Sequence, residues 1–192
     1  MGKRCNFPIL SIGAEYYAMA MLMRRNIMTF KAPERNEGYD LICVNDGIKD
    51  GKIARIQVKS RAHYDSDCSF YVDITEKALK ENKFDYLILV FQNIAEYGYG
   101  KYTGFKSENK KKTDFKELEP EIYTFSVKDL KNQKWISGKK MRLTKDFEEV
   151  AFKYSGKVGI EKIAKYLKIA PIQKSNNGVN IAPAMNYCES AA

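Results

Sequence analysis

Glu15, Asp40, Gln57 and Lys59 place two carboxylates, a neutral amide and an ammonium in the first third of the chain. Asp40 offers hard carboxylate oxygen. Gln57 offers an amide oxygen, and the backbone carbonyl of Val58 follows it. Such oxygens suit Mg²⁺ (or Mn²⁺), which takes an octahedral oxygen shell and keeps several waters. Lys59 would then polarise an attacking water and stabilise charge developing on a phosphate. Glu15 adds a second carboxylate to the set. Each residue alone is ordinary. The ordered set is what could do chemistry: helical Glu, strand Asp, then Gln-x-Lys on the next strand.

Three elements must position these groups. Residues 52–61 (KIARIQVKSR) read as a strand, whose side chains alternate faces. Ala54, Ile56 and Val58 point one way, and Arg55, Gln57, Lys59 and Arg61 the other. For this strand alone, a solvated polar face is the first account of the pattern. Residues 39–44 (YDLICV) read as the preceding strand, with turn signals at Asn45-Asp46-Gly47 and Asp50-Gly51. A hairpin of the two brings Asp40 beside the Gln57–Lys59 end. Residues 11–25 read as an amphipathic helix, capped by Ser11, with Ala14, Tyr17, Ala18, Met21 and Leu22 as its apolar stripe. Glu15 lies on the edge of that stripe, where a carboxylate must snorkel, pair or bind a cation.

The remaining elements predict an α/β fold with a mixed sheet. Residues 28–31 form a short strand and 32–38 a loop. Residues 68–74 form a third hairpin-linked strand. Thr75 caps a short helix reaching Asn82. Residues 84–91 (FDYLILVF) are nearly all apolar, which predicts a strand buried on both faces. Residues 121–125 form another strand, and 143–154 and 160–167 form helices. After Pro171 the chain turns polar and small. The organisation expected is one domain over 1–155, then a C-terminal helix and polar tail over 156–192. Ile160, Ile163, Ala164 and Leu167 make a stripe with little chain left to cover it. That makes 158–192 a candidate interface or DNA-contact arm, with packing on its own domain as the alternative.

The segments GAEYY (13–17), GYDLI (38–42) and IQVKS (56–60) resemble the PD-(D/E)XK nuclease superfamily. The match is closest to its Gln-x-Lys branch, which includes a group I intron homing endonuclease. Archaeal Holliday-junction resolvases are similar in layout, with an acidic residue in the last motif. The resemblance covers about residues 10–92 and fits residues 121–125 loosely. It implies a restriction-endonuclease-like fold, a mixed central sheet flanked by helices. It also implies divalent-metal hydrolysis of a DNA phosphodiester, in a homing, restriction-type or structure-specific role. On that likeness Asp40 is the central metal-binding aspartate and Lys59 the motif lysine. Gln57 stands where Asp or Glu is usual, and Glu15 matches the first-helix glutamate. Tyr39 replaces the proline of the motif. Gln57 removes one negative charge, so metal affinity should fall unless Glu15 compensates.

Charge and composition fit a polyanion partner. The 192 residues carry a formal net charge of +9, with 44% hydrophobic and 30% charged residues. Arg55, Arg61, Lys110–Lys112 and the run Lys139, Lys140 and Arg142 are the expected phosphate contacts. A solvated surface loop accounts for Lys110–Lys112 equally. The Gly/Tyr-rich loop 97–104 and Trp135 read first as packing groups. Cutting both strands of DNA calls for a homodimer or higher homo-oligomer. The four cysteines (Cys5, Cys43, Cys68, Cys188) are scattered without metal-ligand spacing, as is the single His63, which points to free thiols in a reducing compartment. No apolar run reaches the roughly 18 residues of a membrane helix. With no signal-peptide pattern at the N-terminus, the expectation is a cytoplasmic protein away from membranes. Two other classes stay open: a nuclease fold with a decayed site that only binds DNA, and an interaction protein using its basic patches.

Overall fold

The computed structural model describes residues 8–33, 36–45, 47, 51–61, 74, 76–92, 119–133, 135–137, 140–141, 147 and 149–170. Helix α1 (Pro8–Met23) leads into β1 (Met28–Lys31), β2 (Leu41–Val44) and β3 (Ile53–Arg61). Helix α2 (Glu76–Lys80), β4 (Tyr86–Phe91), β5 (Glu121–Ser126) and α3 (Val127–Asn132) follow. A two-stranded ribbon, β6 (Ile136–Ser137) and β7 (Lys140–Met141), precedes α4 (Gly156–Tyr166).

The main sheet runs β1-β2-β3-β4-β5. Its pairs are antiparallel except β3 with β4, which is parallel. This is the α/β arrangement expected from sequence, a mixed central sheet flanked by helices. Strand β3 is its pivot. Residues 53–56 pair with β2, and 56–61 pair with β4. Burial along β3 follows the expected alternation, with Ala54, Ile56 and Val58 inside. Strand β4 is buried at every position, as its unbroken apolar run requires.

The two faces of the sheet carry two cores. Ala14, Ala18 and Leu22 of α1 and Ile160, Ile163 and Leu167 near α4 meet Leu41, Ala54, Ile56, Val58 and Ile88 on one face. Leu87, Leu89, Phe91 and Phe125 meet Leu79, Leu130, Trp135, Phe147 and Tyr154 on the other. Trp135 lies buried with its ring edge-on to Phe125, Phe147 and Tyr154, so it anchors the second core. Cys43 is a buried free thiol bonded to Thr29 at 3.5 Å, and burial pushes its pKa up to about 11.

Several expectations need correction. Helix α1 starts at Pro8, so Ser11 lies within it rather than capping it. Proline at a helix's first turn loses no hydrogen bond, because that amide has no intrahelical partner. Strand β2 starts at Leu41, not Tyr39. Of the expected helix 143–154, Phe147 is helical, Glu149 and Val150 form a turn and residues 151–153 a 3-10 turn. There the chain must turn to lie along β5, where the Tyr154 carbonyl accepts from Thr124 N–H at 2.8 Å and Ser155 bridges Tyr123. Helix α4 begins at Gly156, and its apolar stripe packs on the chain's own sheet, so that stripe is not left for a partner. Of the expected strand 68–74, only Ile74 is among the described residues, and it is buried. The loop 97–104 and the tail beyond 170 lie outside them. No helix among the described residues is long and apolar enough to cross a membrane.

Candidate active site

Asp40 sits in a bend just before β2, fixed on both sides by backbone. Its N–H donates to the Ile56 carbonyl, and its carbonyl accepts from Ala32 N–H, each at 2.8 Å. The approach is set by Gly38, at φ +120°. A Cβ there would stand 2.6 Å from Cβ of Lys83, so only glycine lets the chain pass. Asn36 then holds the next residue, donating from Nδ2 to the Tyr39 carbonyl at 2.7 Å.

Past the last β2–β3 pair, the Asp40 side chain takes over from the backbone. Oδ2 accepts from Val58 N–H at 2.7 Å and from Gln57 Nε2 at 2.5 Å. Among the described residues Oδ1 accepts nothing. Ile56 C=O and Val58 N–H both face this edge, so Val58 C=O faces it too, because peptide groups alternate along a strand. The structure therefore brings Asp40, Gln57 and the Val58 backbone together at the gap where β2 ends and β3 continues. Lys59, half-buried, follows on the same face of β3 as Gln57. Among the described residues no carboxylate pairs with it.

Glu15 comes from the other side of the sheet. Helix α1 packs on the Ala54–Ile56–Val58 face, whereas Gln57 and Lys59 leave β3 on the opposite one. Two bonds moor α1: Gln92 Nε2 to the Leu10 carbonyl at 3.1 Å, and Tyr17 Oη to the Pro120 carbonyl at 3.2 Å. The Glu15 carboxylate is ion-paired with Lys31 at the end of β1. The same ammonium stands over the Tyr16 ring, 5.4 Å from its centroid. Lys31 is the cross-strand partner of Leu41, the residue after Asp40. Glu15 thus reaches the Asp40 end of the sheet but is held one strand away. No three His, Cys, Asp or Glu side chains converge as a metal cage among the described residues.

The expected phosphate contacts fare differently. Arg55 presents its fork to Asp85, with Nε to Oδ2 at 3.1 Å and Nη2 to Oδ1 at 3.0 Å. Its backbone N–H donates to Oδ2 as well, at 2.8 Å. The Asp85 hydrogen bonds raise the Arg55 pKa further, so the guanidinium stays charged. Arg61 is exposed at the end of β3. Lys110–Lys112, Lys139 and Arg142 lie outside the described residues, and Lys140 is described only as backbone in β7. Lys31 and Asp85 were not singled out from sequence. Asp85 opens the apolar run of β4 and Lys31 closes β1, so a charge at a strand end was the available signal.

No family model matches the chain, and no curated protein matches it in sequence. Among solved structures, the chain is similar to the bacterial homing endonuclease I-Ssp6803I. The identity is 16% and the TM-score 0.48, over 85% of this chain and 95% of that one. At that identity no side-chain role passes from one chain to the other.

Proposed function

We propose that this chain is a metal-dependent endonuclease that hydrolyses DNA phosphodiester bonds. The observation that carries the reading is the Asp40–Gln57–Val58 junction, with Lys59 following on the same strand face. It joins oxygen donors at the gap where β2 ends to an ammonium that no carboxylate pairs with among the described residues. The donor set fits Mg²⁺ or Mn²⁺ in kind: Asp40 Oδ1 accepts nothing among the described residues, and Val58 C=O faces the same edge. Turned over, the Gln57 amide would present Oε1 beside Asp40. With one charge from Asp40, binding is weak unless Glu15 joins it. Asp40, Gln57, the Val58 carbonyl and Glu15 would hold the cation, which when bound would withdraw charge from a phosphate oxygen.

The chain's own groups do the rest. Lys59 places its ammonium on the phosphate oxygens and orients the attacking water. Water adds to phosphorus and gives up a proton to solvent, the P–O bond to the leaving strand breaks, and solvent supplies a proton to the leaving oxygen. A net charge of +9 favours a polyanion. Arg61 and the lysine runs at 110–112 and 139–142 are proposed phosphate contacts. Cutting both strands with one site per chain calls for a second copy of the protein.

A second reading is a DNA-binding module whose site has decayed. What favours it is that Asp40 Oδ2 accepts from Gln57 Nε2 and Val58 N–H, and that Glu15 is paired with Lys31 on the neighbouring strand. Cleavage of supercoiled and branched DNA with Mg²⁺ or Mn²⁺ separates the two. The expected result is metal-dependent cutting, lost in both Asp40→Ala and Lys59→Ala. Salt-sensitive binding equal in all three proteins, with no cutting in any, would favour the binding module.

A further inference from the structure

We propose that the outer face of α1 is a self-association surface, on which a second copy of this chain docks its own α1 antiparallel, across a two-fold axis at Tyr16. The proposal goes beyond the nuclease reading. Helix α1 packs on the sheet face opposite Gln57 and Lys59. The pairing therefore leaves those groups uncovered and needs neither metal nor DNA.

Glu15 is the only charged residue in α1, and Lys31 pairs with it. One side of the helix meets the sheet through Ala14, Ala18 and Leu22. The other side is exposed and carries Ile9, Ile12, Gly13, Tyr16, Ala20 and Met23. At 3.6 residues per turn these six fall within a sector of about 100°. Ile9 is 81% exposed, Tyr16 54%, and Ile12 and Met23 49% each. A helix apolar on both sides belongs in an interior, and the sheet covers only one of them.

Charge and spacing say what covers the other. A stripe without charge offers nothing to a phosphate backbone, so the partner is not the polyanion that the net charge favours. Its spacing is symmetric: Ile9 and Met23 lie seven residues either side of Tyr16, and Ile12 and Ala20 four. An antiparallel copy therefore sets Ile9 against Met23 and Ile12 against Ala20, twice over, as a two-fold interface requires. Tyrosine is a residue type found at the centre of such contacts. Lys31 stands over the Tyr16 ring, 5.4 Å from its centroid, and so holds the anchor in place before docking. The Glu15–Lys31 pair supplies a polar rim. The four large side chains expose about 450 Å² per copy, or about 900 Å² for the pair. That lies below the roughly 1,200 Å² of a standard interface, which makes the expected dimer weak and reversible.

Sedimentation equilibrium of the full chain, over about 1–200 µM and without DNA or metal, tests this. The wild type is expected to dimerise with a Kd on the order of 10 µM. Tyr16→Glu sets two carboxylates at the axis and should raise Kd at least about tenfold. Its urea midpoint should stay near wild type, because Tyr16 is exposed. Ile9→Glu and Met23→Lys, charges that suit their own ends of the helix, should each raise Kd about three- to tenfold. These two carry the test if Tyr16→Glu does not fold. Combined in one chain they stand about 21 Å apart along the helix, too far to meet. Across the axis each meets its opposite in the other copy, so the double variant should bind about threefold tighter than either single one. A chain that stays monomeric throughout, or a dimer indifferent to Tyr16→Glu and to both single variants, overturns the proposal. A double variant no tighter than the single ones overturns the antiparallel register and the proposal with it. A monomer that floats with phosphatidylcholine vesicles, and no longer does so as Tyr16→Glu, overturns it too and assigns the stripe to lipid.

Discussion

At position 57 a glutamine and a glutamate have nearly the same shape but opposite effects on Asp40. The Gln57 amide donates to Oδ2 at 2.5 Å, in a half-buried gap that Val58 N–H also serves. A carboxylate there would lose the bond and set two like charges side by side. Gln57→Glu is therefore expected to destabilise the cation-free protein by about 1–3 kcal/mol. Added Mn²⁺ should raise its melting temperature more than that of the wild type, because the cation then meets two carboxylates. Thermal melts in chelator and in Mn²⁺ check both signs. An unchanged melt in chelator would mean the Gln57–Asp40 bond contributes nothing. The residue types and order of this junction were legible in the sequence, because strand alternation and a hairpin suffice to predict them. The partner of Glu15 was not. Nothing in helical spacing links it to Lys31, and the contact arises only where α1 lies against the end of β1.

Among the elements, α4 is the most exactingly placed. A Cβ at Gly159 would meet the Tyr154 carbonyl oxygen at 2.1 Å, its carbon at 2.8 Å and Thr124 Cβ at 3.0 Å. None of these is the far end of a flexible side chain, and the Tyr154 carbonyl is itself bonded to β5. Gly159→Ala would push α4 off the sheet, and with it Ile160, Ile163 and Leu167. The expected loss is about 1–3 kcal/mol in urea denaturation, against about 0.5 kcal/mol or less for Lys157→Ala on the exposed face. Equal midpoints for the two variants would contradict the close approach. The stripe of α4 was legible as a helix but not as core, since sequence periodicity does not say what covers a face. Strand β4 was legible through its apolar run. Its parallel pairing with β3 was not spelled out, and that pairing brings Asp85 onto Arg55, thirty positions away in sequence. The missed start of α1 and the 3-10 turn at 151–153 have local causes: a proline tolerated at a first turn, and a bridge to β5 that propensity cannot foresee.

For the whole molecule the decisive quantity is how its positive charge is divided between internal pairs and outside phosphates. Arg55 is engaged by Asp85, Lys31 by Glu15, and Lys162 by Asp129 at 3.5 Å. These charges count toward +9 without being the natural contacts of DNA. If about five other cations neutralise phosphates, the slope of log affinity against log salt is near −4 to −5 on duplex DNA. Replacing Lys110, Lys111 and Lys112 with alanine should make that slope shallower by about 2.7, at about 0.9 per lost contact. Arg55→Gln should leave the slope within about 0.5 while lowering the urea midpoint, because its fork serves Asp85. Binding titrations across a salt series measure both variants at once. A slope near zero in the wild type would remove the electrostatic basis for a DNA partner. A slope that falls by about one with Arg55→Gln, at unchanged stability, would show that Arg55 leaves Asp85 to meet a phosphate.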